Sequence, residues 1–320
     1  MIRGRFAPTP SGFMHIGNLS TALLAWLQVR KAGGRFVLRM EDIDKPRSKP
    51  ELARQIIEDL RWLGLDWDEG PGEGGPYAPY LQSLREAYYE EAFRKLQYSG
   101  WLYPCYCSRA DLAALATAPH GLHAEGPVYP GTCRALTDEQ RRSHEALKRP
   151  SYRFALPDKP FVFKDGIAGT QRFPAGAGGD FVVKRADAVI GYQLAVVVDD
   201  AAMHITDVVR GSDLLDSTPR QLALYDALGL PAPRFAHVPL LLGPDGRRLS
   251  KRDASLTAAA IRQHGLAAET VVGMIAHVIG WIEKPEPLRP SELVDKFKLE
   301  TVPNRPLQLT ANHYDLLTGR

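Results

Sequence analysis

Arg5-Phe6-Ala7-Pro8-Thr9-Pro10-Ser11-Gly12-Phe13-Met14-His15-Ile16-Gly17-Asn18 joins a short β-type run to a run with helical spacing. Arg3 to Ala7 reads as a first strand and Pro8 to Gly12 as a turn. From Gly17 to Lys31, Leu19, Ala22, Leu23, Trp26 and Leu27 recur on one helix face. Gly33-Gly34 ends that helix. Phe36 to Met40 predicts a second strand, and Glu51 to Leu63, with Leu52, Ile56, Leu60 and Leu63 aligned, a second helix. Strand, helix, strand, helix is the pattern of an α/β unit on a parallel sheet. Such sheets bind ligands where a strand ends and a helix begins, and a helix N-terminus, with unpaired N–H groups and a positive dipole end, suits a phosphate. Gly12 and Gly17 let a ligand approach the backbone. His15 can donate to a phosphate oxygen as charge develops, a contact worth about 3 kcal/mol when preorganised.

The 320 residues suggest about two domains at ~150 residues each. With 44% hydrophobic and 24% charged residues, the composition excludes disordered, collagen-like and coiled-coil chains. A formal net charge of +3 requires any nucleic-acid affinity to come from clustered charge. The N-terminus has no apolar signal region, and the longest apolar stretches, Ala188 to Val198 and Val271 to Ile282, are too short and interrupted to span a bilayer. The expectation is a cytoplasmic protein without a membrane segment. Its three cysteines, Cys105, Cys107 and Cys133, fall within 29 residues. An odd, clustered set makes a poor disulfide framework and points to a metal.

After a Gly- and Pro-rich loop (66–79), Leu81 to Tyr98 reads as a helix, and Trp101 to about Ala186 as an insertion of short strands holding the cysteines. Helix, strand, helix and strand resume over Tyr192 to Met203, His204 to Arg210, Thr218 to Leu228 and Arg234 to Leu242. Helices follow over Leu256 to His264 and Ala268 to Ile282. The expected division is therefore an α/β domain in two halves, 1–100 and 187–245, an insertion at 101–186 and a helical region at 246–320. A second motif, Gly246-Arg247-Arg248-Leu249-Ser250-Lys251-Arg252-Asp253, has four basic residues in six positions after the last strand. Such a loop can fold over a triphosphate, with Lys251 as a compact charge.

Together the two motifs resemble the signatures of the class I aminoacyl-tRNA synthetases. His15-Ile16-Gly17-Asn18 is similar to His-Ile-Gly-His, and Arg248-Leu249-Ser250-Lys251-Arg252 to Lys-Met-Ser-Lys-Ser. Arg5 to Gly12, Met40-Glu41-Asp42-Ile43-Asp44, Val197-Val198-Asp199-Asp200, Val209-Arg210-Gly211-Ser212-Asp213 and Thr218-Pro219-Arg220-Gln221 resemble the glutamyl-tRNA synthetase catalytic domain, in the same order. The resemblance implies a Rossmann-like fold and a glutamate pocket made by Arg5, Phe6, Ala7, Pro8, Thr9, Glu41, Tyr192 and Arg210. Arg reads a carboxylate in bidentate fashion, Glu41 would face the substrate ammonium, and Tyr192 would supply a hydroxyl. His15, Gly17, Asn18 and Lys251 would hold ATP, accompanied by Mg²⁺, with His15 and Lys251 catalytic.

Fewer than seventy residues follow Lys251, too few for the anticodon-binding region of an ordinary glutamyl-tRNA synthetase. This shorter plan resembles the glutamyl-Q tRNA(Asp) synthetase family, which activates L-glutamate without tRNA and attaches it to the cyclopentenediol of queuosine in the anticodon of tRNA(Asp). The resemblance implies one structural zinc ion per chain, bound by Cys105, Cys107, Tyr129 and Cys133. From zinc chemistry alone, His120 or His123 of the same loop would be the choice for the fourth ligand, because three thiolates plus a histidine is the commoner zinc set. Two rival readings stand beside it: a short glutamyl-tRNA synthetase charging the 3′ end of tRNA(Glu), and, given Asn18 and the altered second signature, an inactive tRNA-binding module.

Overall fold

The computed structural model describes residues 1–108, 111–112, 129–249 and 254–319. In chain order these form β1 (Arg3–Phe6), α1 (Ile16–Lys31), β2 (Arg35–Leu38), α2 (Pro50–Trp62) and α3 (Glu86–Tyr98). The insertion carries β3 (Leu102–Cys105), α4 (Asp138–Glu145), β4 (Ser151–Phe154), β5 (Phe161–Asp165), β6 (Gly169–Phe173) and β7 (Phe181–Lys184). Then come α5 (Tyr192–Ala202), β8 (Asp207–Gly211), α6 (Thr218–Leu228), β9 (Arg234–Val238), β10 (Leu241–Leu242), α7 (Ala258–Gln263), α8 (Ala268–Ile279), α9 (Pro290–Leu293), β11 (Leu307–Gln308) and α10 (Ala311–Thr318).

The expected α/β fold is present. A parallel sheet runs β2-β1-β8-β9, with Arg5 opposite Val37, Gly4 opposite Asp207, and Arg210 opposite His237. Both sheet faces are covered, as parallel sheets require. On one, α1 buries Leu19, Leu23, Leu24 and Leu27 in a core shared with α2 and with Ile261, Met274, Leu293 and Leu317 of the C-terminal helices. On the other, Tyr89 and Phe93 of α3 pack with Leu194 and Val197 of α5 and Leu224 of α6. The insertion pairs β3-β4-β7 antiparallel and has its own small cluster around Tyr103, Tyr106 and Tyr129. The β5-β6 hairpin returns to the sheet, where the Gly166 amide donates to the Phe235 carbonyl at 2.8 Å. Among the described residues no helix is long and apolar enough to cross a membrane.

Several boundaries differ from the sequence reading, each for a local reason. The helix expected from Leu81 starts at Glu86, after a 3₁₀ turn at Gln82–Leu84. Asp42 accepts from the Ser83 amide and hydroxyl, and Met40 from the Gln82 amide, so this stretch is tied to the loop after β2. The strand expected from His204 starts at Asp207, because His204 is left-handed (φ 52°) and the Ile205 amide still bonds Asp200 at the end of α5. The run Arg234 to Leu242 is cut at Pro239, which has no amide to give a ladder. The helix expected to reach Ile282 ends at Ile279, where Gly280 takes φ 91°.

Candidate active site

Chain direction through the sheet places the site. From β1 the chain crosses over α1 to β2 on one side, whereas β8 crosses over α6 to β9 on the other. The carboxyl ends of neighbouring β1 and β8 therefore flank the topological switch point, the place where open α/β sheets bind ligands. A cavity of about 320 Å³ opens there. It is lined by Arg5, Phe6, Ala7, Pro8 and Thr9 from the end of β1, by His15, Gly17 and Asn18 at the start of α1, and by Glu41, Tyr192 and Arg210. Every described residue that the sequence nominated for glutamate or ATP thus borders one cavity. Lys251 lies outside the described residues, as do Ser250, Arg252 and Asp253. Their chain neighbours Arg248 and Leu249 line the same cavity, Arg248 paired with Asp213. On the far side Thr257 bridges His15, and the Ala258 amide donates to the Met14 carbonyl at 2.9 Å.

His15 is the N-cap of α1. Its Nδ1 accepts from the Gly17 amide at 3.1 Å, and its own amide donates to Asn18 Oδ1 at 3.1 Å. A lone pair committed to Gly17 leaves the hydrogen of the neutral ring on Nε2, the donor a phosphate oxygen needs. Gly17 is required by this packing, since a Cβ there would lie 2.9 Å from His15 Cε1. Asn18 completes the cap from the fourth signature position, a local role that the departure from His did not reveal.

Behind Arg5 and Glu41 of the cavity wall lies a buried charge network. Arg39, fully buried, donates from one terminal nitrogen to Asp200 at 2.7 Å and from the other to Glu41 at 3.2 Å, and its Nε lies 3.6 Å from Asp199. Asp199 is also held by Arg85 at 2.6 Å, Gln82 at 2.9 Å and the Tyr89 hydroxyl. Arg5 reaches Asp200 only at 3.4 and 3.5 Å, long for charge-assisted bonds, so its charge is loosely neutralised beside the cavity. Burial raises the Glu41 carboxyl above its ordinary range, opposed by Arg39 and Arg5. Burial, reinforced by Glu41, raises the Tyr192 phenol, which therefore keeps its proton.

Arg210 differs from the other buried arginines. Its side chain is 3% exposed, yet its bonds go to His237 Nε2 (3.0 Å), Gln221 Oε1 (2.7 Å), Thr218 Oγ1 (2.9 Å) and the Leu214 carbonyl (3.3 Å). Among the described residues no carboxylate touches it. Burial holds its pKa below the ordinary value. A buried guanidinium on a cavity wall with only neutral contacts is arranged to receive an anion.

In the insertion, the sulfurs of Cys105, Cys107 and Cys133 lie within 4.8 Å of one another. The Tyr129 hydroxyl is 3.5 Å from Cys105 Sγ and 3.6 Å from Cys107 Sγ, and Cys107 is 3.6 Å from Cys133. Zinc–sulfur bonds of about 2.3 Å set tetrahedral edges of about 3.8 Å, so these four atoms fit one zinc-sized centre. His120 and His123 lie outside the described residues. Arg153 donates to Cys105 Sγ at 3.2 Å and stacks over the Tyr129 ring at 3.7 Å, placing a cation beside the thiols.

Residues 1–312 match the family described as tRNA synthetases class I (E and Q), catalytic domain. The chain is 63% identical to the glutamyl-Q tRNA(Asp) synthetase of Symbiobacterium thermophilum over 100% of its own length and 99% of that protein. It belongs to the glutamyl-Q tRNA(Asp) synthetase family. The Nitratidesulfovibrio vulgaris member is 50% identical over 99% of this chain and 98% of that one. The Halorhodospira halophila glutamate–tRNA ligase 1 is 44% identical over 95% of this chain, which spans 65% of that longer protein. Among solved structures, the glutamate-tRNA synthetase of Elizabethkingia anophelis superposes with a TM-score of 0.85 at 30% identity, over 99% of this chain and 69% of that one.

In this glutamyl-Q tRNA(Asp) synthetase family member the sequence signal was strongest at strand ends and weakest underneath them. Arg39, Arg85, Asp165 and His237 received no role. One signal for Arg39 was available, an arginine inside an otherwise apolar strand run, Phe36-Val37-Leu38-Arg39-Met40, two residues before Glu41. Asp165 and His237 meet only in the fold, 72 residues apart.

Proposed function

We propose that this chain activates L-glutamate with ATP, independently of tRNA, and transfers it to the queuosine cyclopentenediol at the wobble position of tRNA(Asp). The observation that carries the glutamate reading is Arg210, a buried cation without a carboxylate partner among the described residues, lining the same cavity as His15 at the α1 N-terminus. The nucleoside acceptor is supported by near-full-length identity of 63% and 50% to relatives named glutamyl-Q tRNA(Asp) synthetase.

In the first step the glutamate α-carboxylate attacks the α-phosphorus of ATP, forming the acyl–phosphate bond as the bond to pyrophosphate breaks. Arg210 and Arg5 bind the side-chain carboxylate, while Glu41 and the Tyr192 hydroxyl receive the ammonium. His15 Nε2–H and the α1 N-terminus stabilise charge on the phosphates, joined by Lys251, two residues after Leu249 in the sequence. Mg²⁺ accompanies the triphosphate and offsets its charge. In the second step a queuosine hydroxyl attacks the activated carbonyl, and AMP departs with the bonding pair. Cys105, Cys107, Tyr129 and Cys133 would hold one zinc ion, whose part would be structural, tying the insertion together.

Protein, ATP and labelled glutamate are incubated with tRNA(Asp) bearing or lacking queuosine, and with tRNA(Glu), and the label is located after nuclease digestion. Label confined to the anticodon fragment of queuosine-containing tRNA(Asp) is expected. Label on the 3′ end of tRNA(Glu) overturns the acceptor, and no glutamate-dependent pyrophosphate exchange without tRNA overturns the activation step.

A further inference from the structure

The Asp165 side chain, at the end of β5, is fully buried against His237 on β9. Its Oδ1 accepts three backbone amides, from Ile167 (2.9 Å), Ala168 (2.8 Å) and His237 itself (3.1 Å). Its Oδ2 lies 2.6 Å from His237 Nδ1. On the opposite side of the ring, Nε2 is 3.0 Å from Arg210 Nε. A guanidinium Nε–H can only donate, so Nε2 must accept and the ring proton must sit on Nδ1, where Asp165 takes it. Only the neutral Nδ1–H tautomer satisfies both contacts. The pKa directions agree. Burial lowers His237, with Arg210 adding to the effect and Asp165 opposing it; burial would raise Asp165, but the bonds from His237 and the Ala168 and Ile167 amides hold it below the ordinary carboxylate range. The counter-charge of Arg210 thus stands one imidazole away, on a hairpin of the insertion, and among the described residues no carboxylate competes for the cavity-facing cation.

We propose that Asp165 and His237 are positioning residues which, through one enforced histidine tautomer, fix the Arg210 guanidinium to receive the substrate's side-chain carboxylate. This rests on the reading of Arg210 as the carboxylate binder. The relay holds Nε while Gln221 and Thr218 hold the terminal nitrogens, so the plane of the fork is set before substrate enters. The β5-β6 hairpin thereby contributes to selecting an anionic amino acid, although of Asp165, His237 and Arg210 it is Arg210 that lines the cavity.

Asp165→Asn tests the relay with almost no change of volume. Three amides converge on the Oδ1 position, so the asparagine carbonyl takes that place and its NH₂ group faces Nδ1. The ring proton must then move to Nε2, opposing the Arg210 Nε–H. In glutamate-dependent ATP–pyrophosphate exchange the glutamate KM is expected to rise tenfold or more, with kcat and the ATP KM changing by less than threefold. In ¹⁵N spectra of the histidine rings, the signal lost in His237→Gln assigns His237; its proton should be on Nδ1 in the wild type and on Nε2 in D165N. Arg210→Ala runs in parallel. If R210A raises the glutamate KM but D165N leaves it unchanged, the relay is refuted and the carboxylate reading stands. If R210A leaves it unchanged, that reading falls and the relay with it. A wild-type proton on Nε2 overturns the relay directly. Should D165N fail to fold, His237→Phe, which removes the acceptor for Nε–H, carries the same KM test.

Discussion

Replacing His15 separates two roles that one ring performs. Nδ1 caps α1 through Gly17 at 3.1 Å, while Nε2–H is the donor assigned to the phosphates. Asparagine at an N-cap accepts the same type of amide bond but ends short of the Nε2 position, so His15→Asn removes the donor and keeps the cap. His15→Ala removes both. A lost cap costs about 1 kcal/mol, which in a chain of this size lowers Tm by about 2 °C. A lost preorganised donor to the transition state costs about 3 kcal/mol, or about 10²-fold in rate. The expected pattern is a Tm for H15N within a degree of wild type, a Tm for H15A about 2 °C lower, and a pyrophosphate-exchange kcat reduced about 10²-fold in both, with glutamate KM unchanged. Differential scanning fluorimetry and initial-rate exchange read both quantities. An H15N enzyme exchanging within threefold of wild type would refute the donor role, and a Tm loss equal to that of H15A would refute the capping argument.

Lys251→Ala should depress exchange kcat by about 10²-fold or more while glutamate still shifts Tm as in the wild type; equal exchange rates would remove Lys251 from the phosphate site. Metal analysis of the purified chain should return one zinc per molecule, falling well below one in Cys107→Ser. Tyr129→Phe, which keeps the three thiols, should surrender zinc to a chelator before the wild type does; indistinguishable retention would exclude the phenol as a ligand. Asp200→Asn strips a counter-charge from buried Arg39 and Arg5 and should cost about 3–5 kcal/mol. Burial pushes the Asp200 carboxyl upward, but Arg5 and Arg39 prevail and hold it low, so its contribution is complete above the ordinary carboxylate pKa and is lost as pH falls through the depressed folded value. The stability gap between wild type and D200N should therefore persist at pH 4 and close only below it.

The sheet, its crossovers and the residues on the cavity wall were legible because strand-to-helix junctions announce themselves by short motifs, and the first signature, Glu41 and Arg210 each sit at such a junction. The supporting layer was not. Asp199 and Asp200 look, in one dimension, like the polar end of an apolar helix; only folding turns both toward Arg39. Asp165 closes an exposed-looking hairpin and becomes buried because that hairpin returns to β9. Tyr129 was nominated through resemblance alone, since zinc chemistry favours a histidine beside three thiolates and two histidines stand nearby in the sequence.

Strand β1 lies between β2, some thirty residues away, and β8, some two hundred residues away, and the same core holds Leu19 of α1 and Leu317 of α10. Synthesis at about 5–20 residues per second would bring Arg210 out roughly 10–40 s after Arg5. Throughout that interval the nascent chain carries an apolar α1 covered by α2 but not yet by the C-terminal helices, and a half-built site that still lacks β8. Late pairing of distant segments slows folding and lengthens the time spent with sticky surface uncovered. Production of this enzyme should accordingly depend more on holdase chaperones and growth temperature than its ordinary composition suggests.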